Sequence, residues 1–302
     1  TPASPVICTG GSTLLSASGA NTYTWAPVTG LSATTGSAVT ANPTTTTTYT
    51  VTGDDGCGNL GTQTVTVTVG SPVTNDNVYG DGEWRAYVYD GNFTELRGYY
   101  PHTDLNFTSN DLWALNGTPS DAPGYVGCAV GVDNHSVSYK RTNFPCAVYR
   151  IDINNHDDQY WLYINGVQVA THNGCCVSHA AVWTGILGPD SEVEFRWREI
   201  GGNSRGQITF NTTNLITVTN ATICPSSSAT LTAVNDPDAT YSWTPAASLN
   251  VSNAATVIAS PATTTTYTLT ATKDGCTITD DVRVTVDNVI NLTVNPTTAS
   301  IC

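Results

Sequence analysis

Two adjacent aspartates, Asp157 and Asp158, are the residues whose type and spacing point most directly to chemistry. They follow an alternating stretch, "AVYRIDIN", that is typical of a β-strand. Adjacent carboxylates supply the hard oxygen ligands that Ca²⁺ prefers, and a strand end would hold their backbone in place. The alternative is a metal-free turn, in which the carboxylates accept hydrogen bonds from backbone N–H groups. The pair therefore predicts either a calcium site or a turn.

The string "THNGCCVSH", residues 171–179, is the most metal-like in the chain. His172, Cys175, Cys176 and His179 together make a zinc ligand set. Two adjacent cysteines, however, do not easily occupy two corners of a tetrahedron, and cysteines in an oxidising compartment form disulfides. We therefore favour disulfide bonding of this cysteine pair over a zinc site.

A glycine-rich turn, "NDNVYGDGEW", offers the carboxylates of Asp76, Asp81 and Glu83 as a second candidate calcium site. We favour a solvated loop that precedes a strand, because glycine and acidic residues are typical of turns. The chain contains no G-x-S-x-G, H-E-x-x-H or P-loop pattern. We accordingly predict that this chain is not an enzyme.

Composition restricts the fold and the partners. The 302 residues carry a formal net charge of −14 with only ten Lys and Arg, which would repel the phosphates of nucleic acids. No apolar run approaches the roughly 20 residues that span a bilayer. Only 11% of residues are charged, whereas threonine and other β-branched residues abound. This composition predicts an all-β protein.

The two ends of the chain repeat one pattern. The stretch "NPTTTTTYTVTGDDGC" ends at Cys57, and "SPATTTTYTLTATKDGC" ends at Cys276. The matching landmarks are Cys8 with Cys224, Leu14 with Leu231, Tyr23 with Tyr241, Trp25 with Trp243, Pro27 with Pro245, Pro43 with Pro261 and Tyr49 with Tyr267. Alternating strands separated by turns predict a small β-sandwich in each repeat, with the tryptophan at its centre.

Nine cysteines indicate an oxidising, extracellular setting. The repeat alignment predicts the disulfides Cys8–Cys57 and Cys224–Cys276. Between the repeats, Cys128 could bond Cys146 and leave a bond between the neighbours Cys175 and Cys176. Because bonds between adjacent cysteines are strained and rare, we favour pairing of Cys128 and Cys146 with Cys175 and Cys176.

The tail, "NLTVNPTTASIC", mimics the beginning, "TPASPVIC", so Cys302 would open a third copy and stay unpaired here. We therefore read the chain as part of a longer tandem array. We predict repeat one at 1–71, a central β-sandwich at 72–218, repeat two at 219–288 and the third repeat from 289 to 302. The repeats resemble the immunoglobulin-like and PKD-like modules of giant surface proteins secreted by gliding Bacteroidota.

The central segment "YRIDINNHDDQYWLYINGVQVATHNG", residues 149–174, resembles the PA14 family. This resemblance implies a carbohydrate-binding or adhesive module. In the lectin branch of the family, two aspartates joined by a cis peptide hold a calcium ion that coordinates sugar hydroxyls. Asp157 and Asp158 match those aspartates, and Asn173 is the nearest match to an asparagine that the lectin branch also uses.

These features together predict an all-β chain in which two small Ig-like sandwiches flank a larger PA14-like sandwich. We expect a structural and adhesive segment of a long extracellular fibre on the cell surface, of the kind used in gliding motility and attachment. Its expected partners are glycans or neighbouring copies of the fibre. Two alternatives remain, a non-catalytic region of a secreted polysaccharide-degrading enzyme and a subunit of an extracellular filament.

Overall fold

The computed structural model describes residues 5–70, 73–218 and 220–287. Within these residues the chain forms β-strands and two single 3₁₀ turns, Ser109–Asp111 and Pro119–Asp121, and it has no α-helix. The predicted all-β fold class is therefore confirmed. No helix in the described part is long and apolar enough to cross a membrane.

The first repeat is a small sandwich built on one four-stranded sheet, in the order β1-β6-β5-β3, and one two-stranded sheet, β2-β4. Trp25 and Tyr49 lie in its core, and the Trp25 indole Nε1 donates a hydrogen bond to the Gly36 carbonyl at 2.9 Å. The strands are β1 (Val6–Cys8), β2 (Thr13–Ser16), β3 (Thr22–Ala26), β4 (Ala38–Ala41), β5 (Thr47–Asp54) and β6 (Leu60–Gly70).

The central region contributes twelve strands. Its larger sheet runs β11-β9-β8-β12-β17-β14-β15, with β7 beside β12, and a second sheet runs β10-β18-β13-β16. The strands are β7 (Gly80–Asp81), β8 (Trp84–Asp90), β9 (Glu95–His102), β10 (Phe107–Thr108), β11 (Val126–Gly127), β12 (His135–Thr142), β13 (Ala147–His156), β14 (Gln159–Ile164), β15 (Val167–Asn173), β16 (His179–Leu187), β17 (Val193–Glu199) and β18 (Gly206–Thr213).

The second repeat has the same strand order as the first, with sheets β19-β24-β23-β21 and β20-β22. Its Trp243 is buried, and the indole Nε1 donates a hydrogen bond to the Ala254 carbonyl at 2.9 Å. This bond corresponds to the one from Trp25 to Gly36 in the first repeat. The strands are β19 (Ala221–Ile223), β20 (Ala229–Thr232), β21 (Thr240–Thr244), β22 (Thr256–Ala259), β23 (Thr265–Lys273) and β24 (Cys276–Val286).

The strand pairings correct one detail of the repeat alignment. Leu15 pairs with Val39 as Leu231 pairs with Val257, so Leu15, not Leu14, matches Leu231. Leu15 and Leu231 are fully buried, whereas Leu14 is 61% exposed. The two adjacent leucines in "TLLS" point to opposite faces of the strand, and the sequence alone did not tell which one faces inward.

The chain divides into two compact units that do not follow the repeats. One unit contains the residues up to 143 together with 152–182 and 192–210, and the other contains 144–151, 183–191 and the residues from 211 onward. The predicted domain boundaries fall at or beside residues 71, 72 and 219, outside the described residues, and stay predictions. The predicted third repeat at 289–302, with Cys302, also lies outside the described residues.

The predicted disulfide pairing is wrong. The bonds are Cys8–Cys128, with a Cα–Cα distance of 5.1 Å, Cys146–Cys276, at 5.3 Å, and Cys175–Cys176. Cys57 and Cys224 are free and exposed.

Strand direction explains why the two cysteines of one repeat do not form a disulfide with each other. In the first repeat, β1 runs parallel to β6, and Cys8 lies opposite Gly70, the last residue of β6. Cys57 precedes Leu60, the first residue of β6. An 11-residue strand at about 3.3 Å per residue therefore puts roughly 30 Å between the two cysteines. The second repeat has the same geometry, with β19 parallel to the end of β24 and Cys276 at its beginning.

A buried ion pair in the second repeat gives a direct test of this core. The Lys273 Nζ contacts both carboxylate oxygens of Asp236, at 2.8 and 2.9 Å, and both side chains are at most 3% exposed. We expect Asp236→Ala to lower the free energy of unfolding by about 3–5 kcal/mol, because it leaves the Lys273 ammonium buried without its partner. Urea unfolding followed by tryptophan fluorescence measures the change.

The matched control is Asp238→Ala. The Asp238 carboxylate is also near the Lys273 Nζ, at 3.7 Å, but its side chain is 74% exposed. We expect this change to cost less than about 1 kcal/mol. Equal losses for the two substitutions would show that the Asp236–Lys273 pair is not a buried structural element.

Candidate functional site

Three carboxylates converge at one end of the central region. β13 ends at His156 and β14 begins at Gln159, so Asp157 and Asp158 form the turn between them. β14 pairs with β17 with Gln159 opposite Arg198, and this register places Glu199 beside the turn. One carboxylate oxygen from each of Asp157, Asp158 and Glu199 lies within 4.8 Å of the others.

Asp158 is held by three hydrogen bonds, two through its backbone and one through its side chain. The Asp158 Oδ2 accepts from the Ile200 N–H at 2.9 Å, its carbonyl accepts from the Gly174 N–H at 3.1 Å, and its N–H donates to the Arg198 carbonyl. The peptide bond between Asp157 and Asp158 is cis, which is the geometry that the PA14 resemblance implied. The turn is therefore fixed to both neighbouring strands.

Glu199 is the unusual member of the cluster. It is fully buried, and neither of its carboxylate oxygens makes a hydrogen bond of good geometry, although the Gly201 backbone N–H lies close enough to act on it. Burial, followed by the negative charges of Asp157, Asp158 and Asp133, raises the pKa of Glu199 to about 8, although the Gly201 backbone N–H partly opposes the shift. Burial and Asp158 likewise raise the pKa of Asp157 to about 6.

This electrostatic situation suits a cation. Carboxylates so close together repel one another, and protonation relieves the repulsion at low pH. A bound divalent cation would relieve it at neutral pH and would also satisfy the two oxygens of Glu199. Oxygen ligands without nitrogen or sulfur favour Ca²⁺ over zinc or copper. The donor set therefore fits a calcium ion, which is one of the two alternatives that the sequence leaves open.

Asn173, the third predicted ligand, stays a prediction. It lies opposite Gln159 in the pairing of β15 with β14, and its Oδ1 accepts a hydrogen bond from the Gln159 Nε2 at 2.5 Å. Glu199, which sequence analysis missed, joins the two aspartates in the cluster. Its signal was present, because Glu199 continues the inward alternation of Val193, Phe195 and Trp197 in β17.

The glycine-rich turn before β8 does not bring its acids together. The Asp76 Oδ2 accepts from the Tyr89 hydroxyl at 2.5 Å, and the Asp81 Oδ1 accepts from the Asn143 Nδ2 at 2.7 Å. These two aspartates and Glu83 form none of the potential metal-binding clusters among the described residues. Asp76 and Asp81 are thus directed to different hydrogen-bond partners.

The fold divides the four residues that together could make a zinc ligand set. Cys175 and Cys176 bond each other, so our favoured pairing of these residues with Cys128 and Cys146 is wrong. Cys128 and Cys146 are bonded to Cys8 and Cys276 instead. His172 and His179 instead come together with His156, which sequence analysis did not single out.

The environment of His156 and of His179 favours the neutral form of both imidazoles. Burial and the neighbouring His172 and His179 lower the pKa of His156 to about 4. Burial and His172 also lower the pKa of His179. Imidazoles in this state have a free lone pair at neutral pH.

Comparison with known proteins adds fold similarity only. No protein-family model matches the chain, and no curated protein matches it. Among solved structures, a PA14 sugar-binding domain from an RTX adhesin is 14% identical, with a TM-score of 0.34, and the match covers 44% of this chain and 91% of that one. The PA14 domain of the antifreeze protein MpAFP is 16% identical, with a TM-score of 0.34 and coverages of 48% and 88%. The insect immune protein hemolin is 10% identical, with a TM-score of 0.20 and coverages of 95% and 98%.

The raised pKa of Glu199 predicts how stability depends on pH when no metal is bound. A raised pKa means that the folded chain holds the proton more tightly than the unfolded chain. This contribution to stability is complete below the ordinary value of 4.5 and is lost as the pH rises through about 8. In the presence of EDTA, we expect the free energy of unfolding to fall between these pH values in the native chain and to fall much less in Glu199→Gln.

Urea unfolding at several pH values measures the difference between the two chains. Glu192→Gln is the control, because Glu192 is exposed, and its curve should follow that of the native chain. Parallel curves for the native chain and Glu199→Gln would contradict a raised pKa at Glu199.

Proposed function

We propose that this chain is an adhesive and structural segment of an extracellular protein, and that its central region binds glycans through a calcium ion held by Asp157, Asp158 and Glu199. The observation that carries the proposal is the buried Glu199 carboxylate, which makes no hydrogen bond of good geometry and has an oxygen within 4.8 Å of one oxygen of each aspartate. A buried carboxylate without a partner is costly, and a cation would offset that cost.

The surroundings of the cluster leave room for a ligand. The Ile200 N–H binds the Asp158 Oδ2 at 2.9 Å, and the Gly202 N–H binds the Asp133 Oδ1 at 3.1 Å, so two carboxylates fix the loop that borders the cluster. An added Cβ at Gly201 or Gly202 would meet no atom within 4 Å. This loop therefore forms an open rim.

Calcium supplies the link between the carboxylates and a sugar. The ion takes six to eight oxygen ligands, so three carboxylates can leave coordination positions open. Sugar hydroxyls are suitable oxygen ligands for those positions. We infer that glycans with neighbouring hydroxyls are the ligand class. The chain's own residues would fix the position of the ion, and the loop at 200–202 would contact the sugar.

The remainder of the chain supports a role in extending and presenting this site. The two repeats share one fold, and disulfides are the expected stabilisers of small extracellular domains. We propose that the repeats act as spacers in a long surface fibre of the gliding-motility type known in Bacteroidota, and that the segment has no catalytic activity. An appended region of a polysaccharide-degrading enzyme and a filament subunit are the competing roles.

Calcium titration of the whole chain tests the site. By isothermal calorimetry in chelator-treated buffer, we expect one Ca²⁺ to bind per chain, and Asp157→Asn/Asp158→Asn to weaken binding at least about 100-fold, because the variant removes two of three charged ligands. On a glycan array, the native chain should give signals that EDTA abolishes and that the variant lacks.

The control is Asp238→Asn/Asp281→Asn, which removes the same charge at two exposed positions. It should bind calcium and glycans like the native chain. Equal calcium heats for all three chains would reject the calcium site and leave Asp157 and Asp158 as a turn. Calcium binding without any calcium-dependent glycan signal would reject the glycan-binding role and retain the ion as a structural element.

A further inference from the structure

Three of the five histidines of the chain meet beside the carboxylate turn. His156 ends β13, His172 lies in β15 and His179 begins β16. One ring nitrogen from each lies within 4.8 Å of one from each of the other two. His156 is fully buried, whereas His172 and His179 are partly exposed, so the cluster is reachable from solvent on one side.

Two of these nitrogens lie as far apart as two nitrogen ligands of one metal ion. The Nε2 atoms of His156 and His179 are 3.3 Å apart. Two nitrogens bound at 2.0–2.1 Å to one tetrahedral zinc ion are separated by about 3.3–3.4 Å. The two imidazoles therefore already hold the separation that zinc would require.

The third imidazole is oriented by the backbone. The His172 Nδ1 lies 3.1 Å from the Gly174 carbonyl oxygen, which accepts a hydrogen bond from it. When Nδ1 carries the proton, Nε2 keeps its lone pair, and a backbone carbonyl in this position is the usual partner of a metal-bound histidine. Tyr160, opposite His172 in the pairing of β14 with β15, packs its ring against His156 at 4.8 Å between centroids.

We propose that His156, His172 and His179 form a binding site for a divalent transition metal, with zinc as the reference ion. Three imidazoles without a carboxylate select zinc, copper, nickel or cobalt over calcium and magnesium. Three protein ligands leave the fourth tetrahedral position for water or for a ligand atom from outside. This site is separate in ligand chemistry from the proposed calcium site and does not depend on it.

Zinc titration of the full chain with its disulfides intact tests this site. We expect one Zn²⁺ per chain by isothermal calorimetry at neutral pH, with excess Ca²⁺ unable to displace it. The double variant His172→Ala/His179→Ala should bind zinc at least about 100-fold more weakly, because one imidazole alone remains. Its calcium binding should be unchanged, which separates failure of this site from failure of the calcium site.

The native chain contains its own control, since it has only two further histidines, His102 and His135. In long-range ¹H–¹⁵N spectra of the imidazoles, zinc should shift the signals of His156, His172 and His179 and leave those two unchanged. The proposal is overturned if zinc shifts none of the three, or if the double variant keeps native affinity. This readout needs no variant, so a folding defect in the double variant cannot obscure it.

A second inference comes from the cysteines. Cys8 begins the first repeat and bonds Cys128, which belongs to the region that follows it in the chain. Cys276 lies at the β23–β24 turn of the second repeat and bonds Cys146, which belongs to the region that precedes it. The two free cysteines occupy the corresponding positions. Cys57, on the β5–β6 turn, corresponds to Cys276, and Cys224, which follows the first strand of its repeat, corresponds to Cys8.

The first repeat has an open groove, and the equivalent surface of the second repeat is covered by the chain segment that precedes that repeat. It has a volume of about 630 Å³, and its lining includes Ser16, Ala17, Ser18 and Gln63. The strand pairings match these residues to Thr232, Ala233, Val234 and Asp280.

The matching residues of the second repeat bind the segment that leads into it. The Thr217 N–H donates to the Thr232 carbonyl at 2.9 Å, the Val234 N–H donates to the Leu215 carbonyl at 2.8 Å, and the Ile216 N–H donates to the Asp280 Oδ2 at 3.0 Å. Leu215 and Ile216 are buried in this contact.

We infer that the groove and Cys57 together receive a β-sandwich domain of the same kind as the central region, carrying a cysteine equivalent to Cys146. Its final segment, equivalent to 215–217, would fill the groove, and its cysteine would form a disulfide with Cys57. Each bond is a two-electron oxidation of two thiols, with two protons released, and the oxidant is the disulfide-forming machinery or glutathione disulfide of an oxidising compartment. By the same rule, Cys224 would bond the Cys128 equivalent of a domain that follows the second repeat.

Two lengthened chains test the rule. In the first, an added copy of residues 73–221 precedes Val6, and in the second, residues 1–286 are followed by a copy of residues 70–302. After oxidative refolding with glutathione, we expect peptide mapping without reduction to find Cys146 of the added domain bonded to Cys57 in the first chain. In the second, Cys224 should bond the added Cys128.

The chain of 302 residues is the reference, in which iodoacetamide should label both Cys57 and Cys224 without reductant. Replacing Cys146 by serine in the added domain should restore labelling of Cys57. The native bonds Cys8–Cys128 and Cys146–Cys276 report correct folding in each lengthened chain. Free thiols at Cys57 and Cys224 in both lengthened chains would overturn the inference.

Discussion

The pairing of β14 with β17 is the constraint on which both candidate sites depend. Its register places the turn at 157–158 against the end of β17, so that the two aspartates meet Glu199. The other edge of β14 pairs with β15 and brings His172 alongside Tyr160 and His156. A shift of one residue in either pairing would turn alternate side chains to the opposite face and disperse both clusters. The strand register, more than the residue types alone, therefore brings the side chains of both clusters together.

The two clusters divide ligand types with little overlap. The donors of one cluster are carboxylate oxygens, and those of the other are imidazole nitrogens. Hard oxygen donors suit calcium, and borderline nitrogen donors suit zinc and its neighbours. Because Cys175 and Cys176 bond each other, thiolates do not enter either set. Two ions of different chemistry could thus be held a few residues apart without competing for ligands.

Local pattern allowed much of the fold to be predicted. The period-two alternation and the repeated tryptophan–proline and threonine motifs led to the all-β class and to the twin sandwiches, and the aspartate pair was found from its position after a strand. Pairings between distant strands were not predictable in this way. Glu199 and His156 join their clusters only through such pairings. The predicted Cys8–Cys57 bond was wrong because two cysteines that recur together in each repeat need not be close in space.

The parallel pairing of the first and last strands of each repeat has a mechanical consequence. The chain enters a repeat through β1 or β19 and leaves it through β6 or β24, and these strands lie side by side in the same direction. A pulling force on the two ends therefore loads the pair along its length, so that all the interstrand hydrogen bonds are stressed together instead of one after another. Each repeat should consequently resist stretching far more strongly than its small core would indicate, which suits a domain that must carry tension along a chain.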